Sequence, residues 1–392
     1  MKKPKPDAPS AGASTVTRKL GTLVEQVRTL VRSARQAAAA SVNSLQVLTN
    51  FEIGRLIVEH EQRGQQRAAY GKATLIHLSA RLSEEFGRGF SRANLEYMRK
   101  FYLLWQDRTG KISQKPSAQL PADRIRRNAS DELMPISQTP SGKFGVPGIP
   151  FLLSWSHYVF LLGIRDDSER RFYEIEAAQS GWSLPELKRQ SNSGLYERLA
   201  LSRDKNRVRR LALEGHTVSR PADLLKDPYV LEFLGLEEKP AYSESDLEAA
   251  VIGKLQHFLL ELGKGFLFEA RQRRFTFGED HFFVDLVFYN RLLRCYVLVD
   301  LKIGKLTHQD LGQMQMYVNY FDQHVKRDDE HSTVGIVLCK KKHDALVEIT
   351  LPREANIFAS EYRLYLPSKE DLRQRLLEWT QSDAGTGAAD ES

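Results

Sequence analysis

Two almost wholly apolar runs, HFFVDLVFY (281–289) and CYVLVDLK (295–302), each carry a carboxylate. Their length and their β-branched and aromatic content predict strands. A carboxylate in such a strand is costly to desolvate unless it is paired or binds a cation. Asp285 and Asp300 therefore limit the folds open to this chain, because the strands must bring both acids a counter-charge. Upstream, FLFEARQRRFTF (266–277) reads as another strand, joined to the first run by the turn-like GED.

Strand geometry narrows the arrangement. Residues two apart share a face, so Asp300 projects together with Lys302. In an antiparallel hairpin, facing positions have a constant sum. A two-residue loop at Leu292 and Leu293 sets Asp285 opposite Asp300. A four-residue loop at 290–293 sets it opposite Leu298, diagonal to Asp300 on the same face, and an odd loop separates the two acids. In either even register two carboxylates and an ammonium converge, and a divalent cation relieves the repulsion. Oxygen ligands alone suit Mg²⁺ or Mn²⁺, which keep several waters and share a phosphate with the substrate. Lys302 would then hold or activate a water beside the phosphorus.

An acid followed by Asp-x-Lys on adjacent strands resembles the PD-(D/E)XK nuclease superfamily. The segment is more closely similar to the C-terminal half of the YhcG-type bacterial proteins. The matching stretches are FEARQ (268–272), FVDLVFY (283–289), VDLK (299–302) and GQM (312–314) with Tyr317. One position departs: this chain has Asp300 where that family carries Glu. The shorter side chain could change the metal's position or the preferred metal, or abolish activity, although the superfamily pattern admits either acid. The resemblance implies a restriction-endonuclease-like α/β domain with an αβββαβ core. It implies metal-dependent hydrolysis of DNA phosphodiesters, leaving 5′-phosphate and 3′-hydroxyl ends. Asp285 and Asp300 would bind Mg²⁺ or Mn²⁺ with the Leu301 carbonyl, and Lys302 would orient water or stabilise the phosphorane.

The first helix of the superfamily often adds an acid. Glu248 and Glu261 are the candidates, and Glu248 matches the family's LE. Gln313 and Tyr317 lie four apart on one helix face. By resemblance they would steady Lys302 or touch the DNA backbone, and Tyr317 reads equally as core. Gln272 would line the cleft or sit on a solvated edge strand.

The remaining chain predicts a second, all-α domain. From Thr15 to about Trp105 apolar residues recur at three- and four-residue intervals, as in amphipathic helices. In EEFGRGFSRANLEYMRK a glycine turn precedes Ser91, a good N-cap. The pattern resembles a helix-turn-helix whose second helix shows Arg92, Asn94, Arg99 and Lys100 to a DNA groove. A plain helical hairpin with a solvated face is the competing account. LSWSHY (153–158), AYG (69–71), GFSRANLEYM (89–98) and WSLPELKRQ (182–190) are similar to the N-terminal part of the YhcG-type proteins, so the resemblance spans roughly residues 20–368. Trp155, His157 and Tyr158 read as packing residues of this domain, with stacking on nucleic acid as the alternative.

The expected organisation is a basic arm at 1–15, the helical domain at 16–214 with an irregular insert at about 106–150, and a connector at 215–242. The nuclease-like domain spans 243–368, followed by a C-terminal helix and acidic tail at 369–392. Arg203, Lys205, Arg207, Arg209 and Arg210 form a basic run suited to phosphates. A formal net charge of +7 favours a polyanionic partner. Cys295 and Cys339 have no metal-ligand spacing, which disfavours zinc and a disulfide scaffold. No run reaches the ~20 apolar residues of a membrane helix, and the start lacks a secretory apolar core. The expectations are a cytoplasmic location, DNA (duplex or branched) as partner, no membrane, and a homodimer as one assembly. A DNA-binding or assembly protein with an inactive nuclease-like domain is the alternative function, and RNA remains open as a substrate. No P-loop or nucleophile-elbow motif is present.

Overall fold

The N-terminal apolar periodicity forms one long helix, α1 (Ala11–Arg63), rather than the separate helices expected. The computed structural model describes residues 11–63, 68–108, 151–202, 205–236, 242–352 and 355–382. Most of the expected arm, most of the insert and the acidic tail lie outside these residues. Helices α2 (Ala68–Phe86) and α3 (Arg92–Trp105) are joined by a turn with positive φ at Gly87 and Gly89. Ser91 caps α3 by accepting a hydrogen bond from the Asn94 amide at 3.3 Å. With the short helix α4 (Trp155–Leu161) they form one compact unit ending at Gly163.

The core of this unit is aromatic. Phe51, Phe101, Phe151 and Tyr158 are buried, with ring centroids in contact at 4.8 to 5.8 Å. Tyr158 and the half-buried Trp155 therefore pack the domain. Gly54 allows α1 to approach α3, since a Cβ there would lie 2.1 Å from the Met98 carbonyl oxygen.

Residues 164–392 form the second unit. It begins with α5 (Asp167–Ser180), α6 (Leu184–Asn192), α7 (Leu195–Leu201) and α8 (Lys205–Glu214). These helices, grouped above with the N-terminal domain, thus share a unit with the sheet. The connector is part of it too, and contributes strand β1 (Tyr229–Val230). The single helix expected after it breaks at Lys254 into α9 (Glu244–Gly253) and α10 (Leu255–Leu262). Strands β2 (Phe266–Phe277), β3 (Asp280–Asn290) and β4 (Cys295–Lys305) follow as a meander. Next come α11 (His308–His324), β5 (Val334–Lys341), α12 (Asp344–Thr350), β6 (Ile357–Arg363) and α13 (Lys369–Ser382).

The six strands are ordered β1-β6-β5-β4-β3-β2. The β2–β3 and β3–β4 pairs are antiparallel, and the rest are parallel. Helix α11 supplies the crossover a parallel β4–β5 pair requires. Two apolar clusters flank the sheet. Leu247, Val251 and Phe258 meet Leu286, Val297 and Val299 in one; Leu311, Met314 and Tyr317 meet Val287, Leu298 and Val337 in the other. This is the mixed α/β core expected, with the all-α unit before it. Both cysteines are free and buried. Among the described residues no helix is long and apolar enough to cross a membrane.

A buried ionic cluster ties α6 and α7 to the helix that precedes the meander. Glu261 on α10 is fully buried. Its Oε1 meets Arg198 Nη1 at 2.5 Å and accepts from the Val230 amide at 3.0 Å, while its Oε2 lies 3.3 Å from Arg189 Nη1. Its backbone carbonyl accepts from Lys226 Nζ. Burial alone would raise the Glu261 pKa. The cations Arg198, Lys226 and Arg189 outweigh it and hold the carboxyl at about 2.

Two predictions follow from this packing. Gly54→Ala improves helix propensity by about 1 kcal/mol, yet should lower the melting temperature because α1 and α3 must separate; an unchanged or higher value would refute the close approach. For Glu261, the depressed pKa contributes stability above about pH 4.5 that is lost as pH falls toward about 2. Glu261→Gln should therefore cost about 3–5 kcal/mol at pH 7 and flatten the fall in denaturant stability between pH 5 and 3.

Candidate active site

The β3–β4 ladder runs from Asn290↔Cys295 to Leu286↔Val299 and stops, although both strands continue. This register continues to Asp285 opposite Asp300, the closer of the two alternatives, with a turn of four residues at 291–294. Instead of a further backbone pair, the Leu301 amide donates to Asp285 Oδ2 at 2.9 Å. The strands fork there, and the side chains of the candidate site occupy the fork.

Four elements meet at this point. From β4, Asp300 is 3% exposed and its Oδ2 lies 2.9 Å from Lys302 Nζ. From α9, Glu248 is 4% exposed, and Gln272 Nε2 on β2 donates to its Oε2 at 2.5 Å. The same Gln272 amide donates to Asp285 Oδ1 at 3.1 Å. Gln272 has φ of 46°, a left-handed conformation uncommon for a residue with a side chain. Such strain, of the order of 1–3 kcal/mol, persists where surrounding contacts over-determine it. The Gln272 amide is thus aimed between two carboxylates.

Electrostatics set the protonation of the fork. Burial, and then the neighbouring Asp285 carboxylate, push the Asp300 pKa well above the usual carboxylate range, and Lys302 only partly opposes them. Burial would lower the Lys302 pKa, but Asp300 and then Glu244 overcome this and raise it. Glu244 approaches Lys302 Nζ at 3.6 Å and was not among the expected residues. Its signal was present, since it lies one helical turn before Glu248 and shares its face. Arg271 Nε lies 3.1 Å from Glu248 Oε1.

Among the described residues, no group of three or more His, Cys, Asp or Glu side chains is gathered closely enough to hold a metal ion. The donor set nevertheless suits a magnesium-type ion, which takes one or two carboxylates and keeps its remaining waters. Asp300 Oδ2 and Glu248 Oε1 are buried and accept no well-directed hydrogen bond, despite a cation near each. Oxygens in that condition fit a divalent cation.

The other expected residues are placed as follows. Gln313 Nε2 donates to the hydroxyl of Tyr317, whose ring is buried in the sheet–α11 core. Glu261 belongs to the ionic cluster and not to the fork. In the first unit, Arg92 pairs with Glu96 at 3.0 Å and Arg99 with Glu61 at 2.6 Å. Asn94 accepts from Trp155 Nε1 at 2.8 Å. Arg210 is exposed on α8, while the side chains of Arg207 and Arg209 lie outside the described residues.

Comparison with known proteins identifies the family. Residues 222–377 match the family model described as the YhcG PDDEXK nuclease domain, and residues 26–198 match the DUF1016 N-terminal domain. A protein of Escherichia coli (strain K12) named "Putative nuclease YhcG" is 41% identical over 358 residues, covering 89% of this chain and 91% of that protein. A repair endonuclease from Pyrococcus abyssi covers 33% of this chain and 50% of its own at 18% identity; its TM-score of 0.23 is too low to carry an argument.

The raised Asp300 pKa gives a testable sign. A carboxylate whose pKa is higher folded than unfolded makes the fold less stable as pH rises through that interval. Without metal, Asp300→Asn should melt above the parent at pH 8 and by a smaller margin at pH 5. Added Mg²⁺ should raise the melting temperature of the parent at pH 8 and leave the variant unmoved.

Proposed function

Because the chain belongs to the YhcG family, whose C-terminal part is a PDDEXK nuclease domain, we propose that it is a metal-dependent endonuclease hydrolysing DNA phosphodiester bonds. The observation that carries this reading is the fork. Asp285, Asp300 and Lys302 converge where the β3–β4 ladder ends, steadied by Gln272 and Glu248. Asp285 and Asp300 would hold Mg²⁺ or Mn²⁺, with Glu248 and the Leu301 carbonyl as further candidate donors. A bound ion of this kind supplies a Lewis acid and lowers the pKa of a water.

The protein's own groups have separable tasks. Lys302, held beside Asp300 and Glu244, is placed to donate hydrogen bonds. It would orient the attacking water and stabilise charge on the pentavalent phosphorus. Attack by the water oxygen forms a P–O bond as the bond to the 3′ oxygen breaks. That oxygen takes up a proton, by way of solvent, equivalent to the one the water gives up, leaving 3′-hydroxyl and 5′-phosphate ends. Gln272 fixes the orientation of Asp285 and Glu248 together. Exposed basic residues, including Arg92 and Lys100 on α3 and Arg210 on α8, would contact phosphates without reading sequence.

The test is cleavage of linear, supercoiled, single-stranded and branched DNA with Mg²⁺, Mn²⁺ or EDTA. The parent should cut only with metal, and Lys302→Ala should lose at least about 10²-fold, the scale of removing one transition-state donor. Cleavage that survives in Lys302→Ala would refute this site. DNA binding with no cleavage on any substrate would instead favour an inactive domain, with the shorter Asp300 as its cause.

A further inference from the structure

The β2–β3 hairpin runs on past the fork. Strand β3 pairs with β4 only over 286–290, yet it pairs with β2 as far out as Phe277↔Asp280. This projecting part has two unlike faces. On one, Phe275 and Phe282 stack on each other, and Tyr320 of α11 stacks on Phe275 with centroids 4.2 Å apart. The other carries the intervening residues, because successive side chains in a strand alternate. There Arg274 lies opposite Phe283 and Thr276 opposite His281.

All four of these residues are exposed, and Phe283 keeps 44% of its surface in water. Arg274 Nη2 lies 2.9 Å from His281 Nε2, which holds the guanidinium along the strip. Phe283 and His281 precede Asp285 by two and four residues, so they stand about 7 and about 13 Å along the strand from it. The exposed turn residues Glu279 and Asp280 close the strip with negative charge, which leaves room for a short stretch of polyanion only.

An exposed ring beside a guanidinium is the pairing by which proteins hold single strands: the cation takes a phosphate and the ring stacks on a base. Within a continuous duplex both faces of a base are already stacked. Only an unpaired or flipped base offers a free face to Phe283.

We infer that the Arg274–Phe283–His281 strip binds the nucleotides next to the scissile phosphate, with one unpaired base stacked on Phe283. The substrate class is then DNA with unpaired bases beside the cleavage point, and not continuous duplex. This deepens the nuclease reading and rests on it for the meaning of the site, while binding to the strip can be read without catalysis.

The experiment uses the full chain in EDTA. Oligonucleotides carry 2-aminopurine either in an unpaired segment flanking a duplex or within a fully paired duplex. Stacking on Phe283 should change the fluorescence of the unpaired probe on binding by the parent and by Phe283→Tyr, and this change should vanish in Phe283→Ala. Phe283→Ala should weaken binding of the unpaired substrate about tenfold, within the range for loss of one stacked base, and leave duplex binding unchanged. Arg274→Ala should weaken the unpaired substrate more than the duplex. Equal losses on both substrates, or the same fluorescence change in Phe283→Ala as in the parent, would overturn the inference. A protein that passes this test and yet cuts nothing with metal would retain the strip and lose the nuclease assignment.

Discussion

The hydrogen bond from the Leu301 amide to Asp285 Oδ2 stands where a rung of the β3–β4 ladder would otherwise be. A buried amide must find an acceptor, and here a side chain supplies it. The exchange ends the ladder without leaving the donor unsatisfied, so the strands can diverge. It also fixes Asp285 by its second oxygen while Gln272 holds the first. Asp300 and Lys302 keep their places by pairing with β5, while the outer part of the β2–β3 hairpin projects beyond the fork. A site built in this way sits on rigid strands, and only its edges depend on longer side chains.

Two buried acids of the same unit show how differently a carboxylate can be treated. Glu261 has three cations around it and is held ionised, so it binds helices to the sheet. Asp300 has one lysine and shares its surroundings with another acid, so its pKa is pushed up. The first is over-neutralised and structural. The second is under-neutralised, which leaves capacity for a cation.

Much of this was legible in the sequence. The apolar strands around Asp285 and Asp300, the Ser91 cap and the Asp-x-Lys face are local patterns, and the structure contains them. The register was legible as far as parity: the sum of facing positions came out at the closer alternative, despite a turn of four residues. What the sequence hid depends on distant contacts. Nothing local marks Gln272 as left-handed, since only the triangle with Glu248 and Asp285 makes that conformation worthwhile. The break at Lys254 interrupts a run whose apolar spacing reads as continuous helix. Likewise the strand at Tyr229 and Val230 is too short for any periodicity, and exists because β6 offers it an edge.

The position of Arg198 has a consequence for how such a chain can change over generations. It is the last residue of the segment matched by the N-terminal family model, and its carboxylate partner Glu261 lies inside the segment matched by the C-terminal one. The line between the two sequence modules therefore passes through a buried ion pair, while the compact units divide earlier, at Gly163. A recombination at the sequence boundary would import a charge without its partner. Residues 164–198, although inside the N-terminal sequence module, are therefore tied by this pair to the unit that carries the sheet.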